Sequence, residues 1–183
     1  TLIDKGHHTR SKNNTEDPYE GVSTSGAIEV EKLKERLKES MFINRTLQAF
    51  WCGQVQRCHH FAMKGGEYQA GGQQSKLIIS FYSALNSFRG IKNKNGNGSQ
   101  FSKVKRTLKD ALAILKPAAE LCPWNFRNKV HLLEAERCSF EKLNAEASIS
   151  YAAAIASARA SRFTHEQGLA CELAGSHYTK IGD

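Results

Sequence analysis

The stretch that decides the fold is residues 101–115, which read FSKVKRTLKDALAIL. Its apolar residues recur at intervals of three and four, and they are Phe101, Val104, Leu108, Ala111, Leu112 and Leu115. Because an α-helix turns once every 3.6 residues, this spacing places all of them on one face and leaves the lysines on the other. The stretch therefore predicts an amphipathic helix that buries one side. Pro117 is predicted to end or kink this helix, because proline lacks a backbone donor and clashes one turn back.

Apolar stripes of the same period continue towards the N-terminus. They are Val30, Leu33, Leu37 and Met41; then Leu47, Trp51, Val55, Cys58 and Ala62; then Leu77, Phe81, Ala84, Leu85 and Phe88. The first two stripes predict one long or two consecutive helices that end at Gly65-Gly66, where glycine supplies a left-handed C-terminal turn. The third predicts a helix that stops near Gly90, followed by an exposed loop over residues 92–99, which read KNKNGNGS.

Three more helices are predicted towards the C-terminus, at about 126–143, 145–161 and 164 to the end. Thr164 is expected to cap the last helix, with Gln167 completing a capping box. No segment alternates between apolar and polar residues with a period of two, so strands are not expected. The sequence therefore predicts an all-α fold of about seven helices.

Length and composition restrict the class of protein. The 183 residues contain only 3 prolines, which suits helices, and no apolar run reaches the roughly 20 residues of a membrane span. Residues 1–26 are polar and lack apolar periodicity, so we expect a disordered leader or linker before a helical domain at 27–183 that is truncated at its C-terminus. The five cysteines are widely spaced and odd in number, which favours reduced thiols and a cytoplasmic location.

Positive charge is concentrated in one part of the chain. Residues 27–123 contain 16 basic and 7 acidic residues, whereas the whole chain has a formal net charge of +8. The candidate basic surface comprises Lys103, Lys105, Arg106 and Lys109, on the polar side of the helix predicted at 101–115. Such a surface can bind nucleic acid by releasing counterions, or it can meet an acidic neighbouring domain. The second interpretation is favoured, because the loop at 92–99 has no aromatic residue for base stacking.

Candidate catalytic and metal sites are weak. Cys52, Cys58, His59 and His60 contain zinc-binding residue types, but on a helix Cys58 faces the core stripe and away from the other three. A zincin motif needs a second histidine four residues after His165, and position 169 is leucine. Cys138 and Cys171 lie on apolar stripes. We therefore assign no catalytic residue, no cofactor and no metal ligand, and expect a protein that is not an enzyme.

Small residues follow a distinctive spacing at the sixth helix. Ala135, Ala147, Tyr151 and Ala154 are separated by 12, 4 and 3 positions. This spacing resembles the small, small, aromatic and small positions of a tetratricopeptide repeat, a helix-turn-helix unit of about 34 residues. His131 and Glu134 stand where a standard unit carries an aromatic residue and a leucine. We expect these four residues, together with Leu108 and Phe126, to pack the helices of a right-handed tetratricopeptide-like α-solenoid.

A broader resemblance covers roughly residues 41–183. It is carried by LCPWNFRNKVHLLEAE at 121–136, YAAAI at 151–155 and FTHEQGLACELA at 163–174. These runs are similar to the helical-repeat region that follows the AAA-type ATPase module in large signalling proteins, which also contain a serine/threonine-kinase-like domain and often a sensor with a histidine kinase or cyclase.

The resemblance implies a non-catalytic scaffold or regulatory connector that contacts other domains of the same polypeptide or a protein or peptide ligand. No phosphate-binding loop and no kinase motif occurs in this chain. The alternative is a basic helical module that binds nucleic acid or an anionic membrane surface.

Overall fold

The computed structural model describes residues 20–67, 72–92 and 98–182. These residues form seven α-helices and no strand: α1 (Glu20–Trp51), α2 (Val55–Glu67), α3 (Gly72–Lys92), α4 (Gly98–Leu121), α5 (Pro123–Phe140), α6 (Asn144–Ala160) and α7 (Thr164–Ile181). The prediction of an all-α fold is confirmed. Most of the loop predicted at 92–99 lies outside the described residues, and its last two positions, 98 and 99, begin α4.

The chain divides into two compact units, residues 1–34 and 35–183. Helix α1 begins at Glu20, inside the segment predicted as a disordered leader, and residues 1–19 lie outside the described residues. Extending an existing helix adds one hydrogen bond per residue fixed, so a polar sequence can continue a helix that its neighbours nucleate. In the first unit Lys34 pairs with Glu31 at 3.1 Å on the exposed side of α1.

The second unit buries the predicted stripes of α3 and α4 in one core, except for Phe101, which is exposed at the start of α4. Each helix from α2 to α7 packs against the next, and α5 also contacts α3 and α7. The core contains Leu77, Phe81, Ala84, Leu85, Phe88, Val104, Leu108, Ala111, Leu112 and Leu115, with Phe126 half-buried beside it. Arg89 on α3 donates to the Phe50 carbonyl at 2.8 Å and Asn86 donates to the Val55 carbonyl at 2.9 Å, so the turn between α1 and α2 is held against α3.

The stripe on the first half of α1 has the predicted helical period but is exposed. Val30, Leu33 and Leu37 each expose more than half of their surface, and Met41 is also exposed. Trp51, on the next stripe, is exposed as well. A period of 3.6 shows that apolar side chains share a face, but burial also requires a second element against that face.

Two helices continue past a residue at which the sequence predicted an end. Helix α4 continues through Pro117 to Leu121, and Pro117 is exposed. The carbonyl of Ala113 loses its usual helical donor, because the proline at 117 has no N–H, and Ala113 itself is exposed. Helix α2 likewise continues through Gly65-Gly66 to Glu67.

The capping box predicted at Thr164 is also wrong. Phe163 takes the N-cap position without a side-chain bond, and its carbonyl accepts the Gln167 N–H at 2.8 Å. The turn before it fixes this register, because Arg162 has a left-handed backbone with φ 60°.

The α5–α6 and α6–α7 turns repeat one hydrogen-bond pattern. Leu143 N–H donates to the Cys138 carbonyl and Lys142 N–H to the Ser139 carbonyl; at the equivalent places, Phe163 donates to Ala158 and Arg162 to Arg159. This is the Schellman pattern, in which the residue after the helix end adopts the left-handed conformation. Lys142 has φ 62°, so both turns place a long side chain where glycine is the usual residue.

Lys142→Gly and Arg162→Gly are each expected to raise the free energy of unfolding by about 0.5–1 kcal/mol, because the left-handed conformation is strained for residues with a Cβ. Urea denaturation measures the change. Lys142→Ala keeps the Cβ and should give no gain, whereas Ser161→Gly, where φ is −86°, should lower stability. Equal gains from Lys142→Gly and Lys142→Ala would contradict the argument.

Candidate functional site

The four residues predicted to pack the repeat lie on α5 and α6. Ala135, Ala147, Tyr151 and Ala154 are all fully buried in the common core. Small side chains let the two helices approach closely, and the Tyr151 ring fills the space beside them. The Tyr151 hydroxyl crosses the interface and donates to Glu136 Oε1 at 2.5 Å.

A polar network surrounds the Tyr151 hydroxyl. Ser139 Oγ lies 2.9 Å from His177 Nδ1, and the His177 ring packs against Tyr151 with 5.5 Å between centroids. Burial raises the pKa of Tyr151, and the Glu136 carboxylate raises it further, so the phenol stays protonated and acts as a donor. His177 Nε2 is buried and has no hydrogen-bond partner in the described part of the chain.

This network forms one wall of a cavity of about 490 Å³. The cavity lies where the C-terminal ends of α3, α5 and α7 meet, and its polar wall carries Glu136, Ser139 and His177. Phe88, Ile91, Phe140 and Ile181 supply apolar walls, and Lys142, Asn144 and Lys180 complete the lining. The cavity is therefore mainly apolar with a few converging polar groups.

The candidate basic surface is exposed but does not line a single groove. Lys105 and Lys109, one turn apart, line a groove between α4 and α5. Lys103 instead lines a separate cavity between α2, α3 and α4, and Arg106 lines neither. All four side chains are exposed. The structure therefore brings Lys105 and Lys109 together and separates them from the other two.

The α4–α5 groove has a volume of about 660 Å³ and an apolar floor. We define its floor as Phe88, Val104, Leu108, Leu112, Ala113, Pro117 and Phe140, and its rim as Lys105, Lys109, Lys116, Glu134, Arg137 and Glu141. A molecule bound in the groove could therefore pair with the lysines and also make hydrophobic contact with the apolar side chains beneath them.

The acidic rim residues of the groove are already paired. Lys116 Nζ lies 2.7 Å from Glu134 Oε1, while Arg137 Nε lies 2.7 Å from Glu134 Oε2 and its Nη1 lies 2.8 Å from Glu141 Oε2. Burial alone would raise the pKa of Glu134, but the hydrogen bonds from Lys116 and Arg137 outweigh it and hold that pKa below its usual range. Glu134 therefore stays ionised and neutralises its own neighbours.

A buried ion pair joins α5 to α7 and was not found from the sequence. Lys129 Nζ donates to Glu166 Oε2 at 2.8 Å and to the Asn125 carbonyl at 2.9 Å, and Asn128 Nδ2 donates to the same Glu166 oxygen. The Lys129 ammonium also lies 4.7 Å from the Phe163 ring centroid. Lys129 and Glu166 are 37 positions apart, so no local motif could connect them.

The thiols and imidazoles of the weak candidate sites are dispersed. Cys58 is buried, and burial raises its pKa to about 11; Cys52, His59 and His60 are exposed. Burial also raises the pKa of Cys138, and Cys171 is exposed. Over the described ranges, no three histidine, cysteine or acidic side chains gather as metal ligands would.

Two histidines are expected to make stability fall with acidification. Burial lowers the pKa of His59, helped by Lys103 and His60, and burial with Arg127 lowers that of His131. The two histidines therefore contribute fully to stability above pH 6.5, which is the pKa of histidine in the unfolded chain. This contribution is lost as the pH falls through their lowered pKa in the folded protein. The melting temperature should be lower at about pH 5.5 than at about pH 7.5, and less so in the His59→Gln/His131→Gln variant. If this variant showed the same difference in melting temperature between the two pH values, His59 and His131 would be excluded as the source of that difference.

No helix in the described ranges combines the length and the apolar character needed to cross a bilayer. Comparison with family models, with curated proteins and with solved structures finds no match for this chain.

Proposed function

We propose that the chain is a non-catalytic helical-repeat scaffold that holds another domain or a partner protein in a larger signalling ATPase or kinase. The observation that carries this proposal is the packing of α5 against both α3 and α7, with α4 and α6 joining them. Stacked helix pairs of a tetratricopeptide-like solenoid contact their neighbours in this way, because the first helix of each pair packs on the first helix of the next.

The repeated turns and the small-residue interface support the same proposal. Ala135, Ala147, Tyr151 and Ala154 pack α5 against α6, and α6 is joined to α7 by a turn with the same hydrogen bonds. Such local repetition is what a solenoid requires, since each unit buries its core against the next.

A non-catalytic role fits the chemistry of the nucleophilic side chains. The raised pKa values of Cys58 and Cys138 keep both thiols protonated, and the thiol is a weaker nucleophile than the thiolate. Ser139 and His177 contact each other, but a catalytic histidine needs an orienting acid on its other ring nitrogen, and Nε2 has no partner within the described residues. We interpret the pair as structural.

Zero-length carbodiimide cross-linking of the protein purified at its native length tests the scaffold proposal. Because this reagent joins lysines only to carboxylates in contact with them, a docked partner or domain should be linked to residues 35–183 and identified by mass spectrometry. The matched sample in about 1 M salt should lose those links that depend on exposed charge pairs. The proposal would be overturned if every cross-link joined two residues within positions 1–183, so that none reached another domain or protein.

The second candidate function is binding of nucleic acid, favoured by the exposed cations of the candidate basic surface, which are Lys103, Lys105, Arg106 and Lys109. A titration with a generic DNA duplex at about 50 and 200 mM salt tests it, because each neutralised phosphate releases counterions. A steep loss of affinity with salt supports this alternative, and no binding at the lower salt concentration excludes it.

A further inference from the structure

The α4–α5 groove combines an apolar floor with cations that no carboxylate of the described residues pairs with. On the α5 side, Glu134 and Glu141 are held by Lys116 and Arg137. On the α4 side, no carboxylate in the described ranges pairs with Lys105 or Lys109. The unpaired positive charge therefore lies along one edge of the groove.

Helix geometry places this charge in a row. Residues 105, 109 and 116 recur at intervals of four and seven, so their side chains follow the same side of α4. Lys103 lines a cavity on the other flank of the buried stripe formed by Val104 and Leu108, and Arg106 lines neither that cavity nor the groove. A ligand in the groove would meet Lys105 and Lys109 along one side and apolar side chains beneath.

We propose that the α4–α5 groove binds an acidic amphipathic segment of a partner polypeptide, whose apolar side chains enter the groove while its carboxylates pair with Lys105 and Lys109. This proposal rests on the scaffold function and names the chemistry of the partner. Charge complementarity supports the acidic character, and the apolar floor supports an amphipathic ligand, since amphipathic segments dock through apolar anchors at helical spacing.

Nucleic acid fits this groove less well. Phosphates would satisfy the lysines, but base stacking requires accessible aromatic faces. Phe88 is buried, and its ring packs against that of Phe140 with 5.8 Å between centroids; Phe140 also contacts Phe101 at 5.4 Å. These rings are already engaged with one another.

The test uses two fluorescein-labelled peptides of about 16 residues and identical composition. In one, leucines occupy helical positions i, i+3, i+4 and i+7 among glutamates; in the other, the same residues are scrambled so that no apolar face forms. Fluorescence anisotropy with the complete chain should show tighter binding of the patterned peptide. Equal affinities would overturn the proposal, as would no binding at about 100 µM.

Variants separate the groove from general charge attraction. Lys105→Glu/Lys109→Glu should weaken binding about 10–100-fold, because it reverses the charges on the rim. The control Lys103→Glu/Arg106→Glu makes the same change in net charge on the same helix, outside the groove, and should weaken binding less than about 3-fold. Equal losses from the two variants would overturn the proposal.

A third variant, Ala113→Lys, adds positive charge to the groove, whereas the other two variants remove it from α4. Ala113 is exposed and lines the groove, so a lysine there adds positive charge while its long side chain obstructs the floor. Docking in the groove predicts weaker binding, whereas simple attraction predicts tighter binding. Circular dichroism melts confirm that each variant is folded before binding is scored.

The outcomes also separate this proposal from the scaffold function. If the peptide fails to bind but native cross-links join residues 35–183 to a partner elsewhere, the scaffold remains and the groove proposal is wrong. If a DNA duplex competes for the groove and loses affinity in Lys105→Glu/Lys109→Glu, the groove binds nucleic acid and the peptide proposal is overturned.

Discussion

Lys129→Met is expected to lower the free energy of unfolding by about 3–5 kcal/mol, because it leaves a buried carboxylate without its cation. Methionine has nearly the volume of lysine, so little packing is lost. The Glu166 carboxylate would keep only the uncharged Asn128 amide as a hydrogen-bond donor from α5, in a site that is almost closed to water. Urea denaturation followed by circular dichroism measures the loss.

Two further variants isolate the charge effect. Lys129→Met/Glu166→Gln removes both charges and keeps a hydrogen-bonding group beside Asn128, so its stability should return to within about 1–2 kcal/mol of the natural protein. Lys116→Met breaks an ion pair whose lysine is more than half exposed and should cost less than about 1 kcal/mol. A double variant no more stable than Lys129→Met would show that the lysine stem, and not its charge, matters at this site.

Helix α5 differs from its neighbours in how it connects to them. Its Phe140 packs on Phe88 of α3, but polar pairs also join it to three other helices: Lys116–Glu134 to α4, Glu136–Tyr151 to α6 and Lys129–Glu166 to α7. Apolar contacts tolerate small changes in register, whereas a hydrogen-bonded charge at a fixed position does not. The polar pairs therefore specify how α5, α6 and α7 align.

The apolar stripes explain how much of the fold could be predicted from the sequence. The residues from Leu77 to Phe88 and from Val104 to Leu115 that share a helical face are buried as expected, because each helix contributes a single face to the core. Val30 and Leu37 have the same spacing and are exposed. The spacing is a property of one helix, whereas burial depends on a second helix that the spacing does not specify.

The candidate site was less predictable for a related reason. On α5, Asn128, Lys129, Leu132, Leu133 and Glu136 are all buried, so the helix has no single apolar stripe from which to identify a functional face. The α4–α5 groove could be predicted in part. The spacing of Lys105 and Lys109 shows that they share one side of α4, but the groove floor also contains Phe88 and Phe140, which other helices contribute. Local periodicity identifies the cations, and only tertiary contacts identify what lies between them.

Ala147→Leu is expected to destabilise the protein by about 1–3 kcal/mol through overpacking. Ala147 is fully buried where α6 meets α5, beside the Ala135 and Tyr151 positions of the proposed repeat, so three additional carbons must displace a helix. A thermal melt measures the effect, with Ala152→Leu as the matched control because Ala152 is exposed on the same helix.

The same substitution tests whether the small residues align the helices of the proposed repeat. If close approach of α5 and α6 positions α7, Ala147→Leu should also weaken the Lys129–Glu166 pair, because a displaced α5 changes the distance between Lys129 and Glu166. Combining Ala147→Leu with Lys129→Met should then cost less than the sum of the two single effects, since each removes part of the same alignment. Strict additivity, or an unchanged melting curve for Ala147→Leu, would show that the α5–α6 interface does not control the rest of the array.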